Sequence, residues 1–85
     1  EVEEAVEWYQ SRSAGLGMEF ARVVRETFAV IERTPMHFPE IERGIRRAVM
    51  RRFPYAAYFA VESDRIAVLA VFHHRRHPAH WQSRR

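Results

Sequence analysis

Nine residues near the end of the chain, His73-His74-Arg75-Arg76-His77-Pro78-Ala79-His80-Trp81, combine four imidazoles, two guanidiniums and an indole. Guanidinium is a permanent cation whose planar fork of donors matches phosphate and carboxylate oxygens. Imidazole gains or loses a proton near neutrality and can serve as acid or base. Two further pairs, Arg46-Arg47 and Arg51-Arg52, lie in the middle of the chain. Residues of these types either grip an anionic macromolecule or, with an imidazole as proton carrier, break a phosphodiester. The structural alternative is plainer. Arg75, Arg76 and the histidines then form a solvated tail closed by a packed Trp81, and Arg46 or Arg47 pairs with Glu40 or Glu42.

Other chemistries are poorly served. A metal set built on His73, His74, His77 and His80 needs helical spacing, and Pro78 opposes a helix there. The chain has no cysteine, which removes disulfides and thiolate metal sites. Gly15-Leu16-Gly17 is too short and lacks the lysine of a phosphate loop, so it reads as a connector. No cofactor is expected.

Charge is unevenly placed. Residues 1–42 carry nine carboxylates and four arginines, a net of −5, whereas residues 43–85 carry ten arginines and two carboxylates, a net of +8. A domain polarised in this way attracts acidic partners to its second half. All fourteen basic residues are arginine. With 85 residues, of which 47% are hydrophobic, the chain fits one small globular domain over 1–85 rather than a disordered tail. No apolar run approaches a membrane span and no signal peptide is visible, so a cytoplasmic protein is expected.

These side chains need elements to position them. Val2, Ala5, Val6 and Tyr9 recur at helical spacing over Glu1–Arg12. Glycines at 15 and 17 break that helix. Phe20, Val23, Val24, Phe28 and Ile31 then make one stripe of a second helix, from Leu16 to Arg33, which Thr34-Pro35 ends. The spacing predicts a loop from Met36 to Glu42 and strands over Gly44–Arg52, Tyr55–Val61 and Arg65–Phe72. The last is continuously apolar and is expected to be central and covered. The fold class is therefore α+β, an N-terminal antiparallel helical hairpin packed on a three-stranded antiparallel meander.

A wider pattern runs through these elements: Glu7-Trp8-Tyr9, Gly15-Leu16-Gly17-x-x-Phe20, Ile31-x-x-x-Pro35, Phe38-Pro39, Gly44-Ile45-Arg46-Arg47, Arg52-Phe53-Pro54-Tyr55-x-x-Tyr58, Ile66-x-Val68-x-Ala70-Val71, and His74-x-Arg76-x-Pro78-x-x-Trp81. In order and spacing it resembles the RelE/ParE superfamily of toxins from bacterial type II toxin–antitoxin systems, over essentially the whole chain. The resemblance implies a β-strand ahead of the first helix. The chain begins Glu1-Val2-Glu3-Glu4, without Met and already helical, so that strand is expected to be missing from it: either the sequence is a fragment, or one sheet edge is open.

One branch of the superfamily cleaves mRNA on the ribosome. The other, ParE, poisons DNA gyrase and cleaves nothing. The nuclease branch uses basic residues on the first meander strand, an arginine in the middle segment, an arginine after the last strand and often a terminal tyrosine. In this chain the middle arginine falls on Ala56, the second basic strand position near Val49 and the terminal tyrosine on Trp81, whose indole is a donor without useful acidity. The resemblance therefore implies a ParE-like toxin that binds an essential target, with Arg46, Arg47, Arg75, Arg76, His77, His80 and Trp81 as the target-binding lip. The alternative is a ribosome-dependent endonuclease using Arg47, His73, His74 and Arg75. A cognate antitoxin is implied as partner, in a hetero-oligomer, through Trp8, Phe20, Arg51, Arg52 and Tyr58. A non-toxic nucleic-acid-binding domain ranks last, because the helices lie in the acidic half of the chain.

Overall fold

The computed structural model describes residues 2–73. Helix α1 spans Val2–Arg12 and helix α2 spans Leu16–Arg33. The turn between them works through its glycines. Gly15 precedes α2 with φ 86°, a left-handed backbone that residues with a Cβ seldom adopt. Gly17 lies where the helices approach most closely, and a Cβ there would stand 2.5 Å from the Val6 carbonyl oxygen and 2.9 Å from the Gln10 side chain. The Gly17 amide instead donates to Gln10 Oε1 at 3.0 Å, so the contact that excludes a side chain also holds the hairpin.

Helix α2 is amphipathic. Phe20, Val23, Val24 and Ile31 are buried on one side, while Arg22, Arg25 and Glu26 face water. It stops at Thr34, whose amide closes the last turn on the Val30 carbonyl (2.9 Å) before Pro35. A short 3-10 turn, Pro35–His37, leads into the sheet.

The sheet has four antiparallel strands in sequential order: β1 (Glu40–Glu42), β2 (Ile45–Val49), β3 (Tyr55–Val61) and β4 (Ile66–His73). Two expectations are corrected here. The loop expected through Glu42 contains β1, which makes the sheet four-stranded rather than three-stranded. Its three residues are too few to show alternation, and only the pairing of Glu40 with Arg46 and Glu42 with Ile45 creates the strand. Strand β4, expected to be central, is an edge among the described residues, and β2 and β3 are the inner strands. Its unbroken apolar run instead reflects burial towards its end on both faces, at Ala70, Val71 and Phe72.

Alternation divides the side chains between two apolar clusters. Facing the helices, Ala48, Ala57, Phe59 and Val71 pack with Phe20, Val23, Val24 and Ile31. Tyr9, Phe20, Phe53 and Tyr55 form a ring cluster there, Phe20 lying 5.0 Å centroid to centroid from both Phe53 and Tyr55. Such pairs add about 0.5–1.5 kcal/mol beyond area burial. The second cluster comprises Ile45, Ala56, Tyr58, Ala70 and Phe72, with Ile41 and Leu69 partly buried beside it. Leu69 bulges out of the register, because Tyr58 pairs with Ala70 and Phe59 with Val68.

Candidate functional site

Strand β2 sends its two arginines to opposite faces, as a period of two requires. Arg46 pairs in register with Phe59, on the helix side. Its Nη1 donates to the Phe38 carbonyl at 2.6 Å and its Nη2 lies 3.7 Å from Glu40 Oε1. Pairing of this strand start with Glu40 is thus as the sequence suggested, and it fastens the loop to the sheet. Arg47 pairs with Tyr58, on the side of the second cluster. Its half-buried side chain has an Nε with no hydrogen-bond partner among the described residues. A buried donor without an acceptor costs about 1–3 kcal/mol.

A second group of arginines runs along α2 and the β2–β3 turn. Arg22 bridges Glu19 and Glu26 along the helix. Glu26 Oε1 accepts from Arg51 at 2.8 Å, and Glu19 Oε2 accepts from Arg52 at 2.5 Å. Three guanidiniums and two carboxylates therefore form one continuous chain of ion pairs. The Arg22 hydrogen bond holds the Glu19 carboxyl below its usual value, with further help from Arg52 and Arg51. Glu26 is lowered chiefly by its bond to Arg51. Arg52 carries φ 73°, an uncommon backbone for a residue with a side chain, at the turn this ladder ties down.

The third feature is a cleft of about 480 Å³ between α1 and the meeting ends of β3 and β4. Trp8 and Tyr9 line one wall, Tyr55 and His73 the other, and Glu4 stands among the lining residues. Burial, together with the neighbouring Tyr55, raises the Tyr9 phenol above its ordinary value.

The expected site residues separate. Arg47 and His73 lie on opposite faces of the sheet, since His73 pairs with Tyr55 on the helix side, the ring centroids 5.5 Å apart. Trp8 is 52% exposed, and Arg51 and Arg52 are exposed beside α2. Phe20 and Tyr58 are almost wholly buried, one in each cluster, and act in packing. His74, Arg75, Arg76, His77, His80 and Trp81 lie outside the described residues. Sequence reasoning overlooked Glu19 and Glu26 as partners of Arg22, Arg51 and Arg52. Their i, i+3 and i, i+4 spacing was a visible signal for the helical part. The cleft residues Glu4 and Tyr55 left no such signal, because they meet only through the tertiary fold.

No protein-family model, curated protein or solved structure matches this chain. Fold and site together define a small α+β domain with an arginine-bearing sheet and no helix long and apolar enough to cross a membrane among its described residues.

Proposed function

We propose that the chain is a ParE-like toxin of the RelE/ParE superfamily, which arrests growth by binding DNA gyrase and is neutralised by a cognate antitoxin. The order of elements, two helices followed by an antiparallel meander, supports the reading. The observation that carries it is the disposition of Arg47. Its half-buried side chain lies on the face of the sheet opposite His73, so this cation is separated from that imidazole. That geometry suits holding better than proton transfer, which requires the acid or base within hydrogen-bond reach of the reacting atom.

The test is expression in bacteria, followed by supercoiling assays with purified gyrase and cleavage assays in a translating extract. Growth arrest and loss of supercoiling without mRNA cleavage are expected, with Arg47→Ala weakening the inhibition by about tenfold or more, the scale of a lost charge-assisted hydrogen bond. Cleavage that vanishes in His73→Ala or His74→Ala would replace this reading with the ribosome-dependent endonuclease. Rescue of growth by a co-expressed small acidic protein would identify the antitoxin.

A further inference from the structure

The cleft beside α1 has a composition that the toxin reading does not use. Three aromatic rings and an imidazole line it. Trp8 and Tyr9 lie 5.0 Å apart edge to face, Tyr9 and Tyr55 6.4 Å apart, and Tyr55 and His73 5.5 Å apart. Among the described residues, the charged group lining the same space is the carboxylate of Glu4. Aromatic faces carry negative quadrupole density and attract cations, and a carboxylate adds a full opposite charge. The cleft's own surroundings already show this preference: the Arg12 guanidinium carbon stands 4.7 Å from the centroid of the Trp8 ring. Helix α1 is also the acidic part of the molecule, with Glu3, Glu4 and Glu7 against Arg12. At about 480 Å³ the space admits one long side chain or a small amine, and is too large for an inorganic ion alone.

We propose that this cleft is a binding site for an organic cation, a guanidinium or alkylammonium group, held between Trp8, Tyr9 and Tyr55 with Glu4 as its counter-charge. The inference does not rest on the arginine-bearing strand that carries the toxin reading, and it shares with that reading only Trp8, an implied antitoxin contact. It also joins two residues, Trp8 and His73, that the sequence assigned to different roles.

The cation has two possible sources, a free small molecule or a basic side chain on another polypeptide. Titration of the 85-residue chain with N-acetylarginine amide, followed by the Trp8 indole signal in nitrogen–proton correlation spectra, tests the site. N-acetylcitrulline amide, nearly the same shape without the charge, is the control. Saturable shifts of the Trp8 signal and of backbone signals around Tyr9 and Tyr55 are expected with arginine only. Glu4→Gln and Trp8→Leu should each weaken binding by about threefold, the worth of one exposed cation–π or ionic contact, with unchanged circular dichroism. A short peptide carrying one arginine among glycines and serines that binds more tightly than the amide assigns the site to a polypeptide partner; equal affinity assigns it to a small cation. Equal shifts with citrulline, shifts confined to residues away from the cleft, or no saturation with arginine would each overturn the proposal.

Discussion

Gly17 shows how much one residue decides. Its missing Cβ lets α1 and α2 approach until the Val6 carbonyl occupies the space a methyl group would need. Gly17→Ala is therefore expected to lower stability by about 1–3 kcal/mol, as overpacking does, despite the higher helix propensity of alanine. Urea denaturation measures this, and a stability equal to or above the parent would refute the close contact. Phe20, with no exposed surface, predicts a larger loss: truncation to alanine should cost about 3–5 kcal/mol, enough to leave so small a domain largely unfolded. Arg47 behaves differently. Replacing it with methionine keeps the aliphatic stem and removes the unpartnered donor, so stability should hold or rise while target inhibition falls.

At the scale of elements, the ion-pair ladder joins α2 to the β2–β3 turn. Glu19 and Glu26 both have folded values below their ordinary ones. A carboxylate lowered in this way contributes stability above its unfolded value and loses that contribution as pH falls through its folded value. Acidification below the normal glutamate range should therefore loosen the Arg51-Arg52 turn. The Met50 amide donates to the Tyr55 carbonyl at 2.8 Å across this turn; its protection relative to the intrinsic exchange rate at the same pH is expected to fall there, and a Glu19→Gln, Glu26→Gln double variant should show the lower protection already at neutral pH. The pairs are exposed and salt-screened, so high ionic strength should imitate acid. Protection of that amide that ignores both pH and salt would mean the ladder is ornamental.

The described residues form a two-layer arrangement with an unequal pair of sheet edges. Strand β1 is short, acidic and bulged, features that discourage further pairing. Strand β4 is eight residues long, has neither proline nor a formally charged side chain, and has no partner strand on its outer side among the described residues. Val68 is 44% exposed on it. The isolated chain is expected to associate as concentration rises, and Val68→Lys should suppress that association without altering the helices. Sedimentation velocity over a concentration series checks this; an unchanged profile in the variant would place the association elsewhere.

The sequence by itself determined the two helices, their glycine turn, the Pro35 stop and the order of the three longer strands, because periodicity and backbone restriction are local. It also offered Glu40 or Glu42 as a partner for Arg46 or Arg47, and the structure selects Arg46 with Glu40. Only the tertiary structure decided that Glu40–Glu42 is a strand, since three residues acquire that conformation from the hydrogen bonds of a neighbour. Only it placed β4 at an edge, because an apolar run records burial of its side chains and not pairing of its backbone. And only it set Arg47 and His73 on opposite faces while placing Trp8 and His73 around one cleft: faces and distances between elements arise from register and packing, which no single stretch of residues encodes.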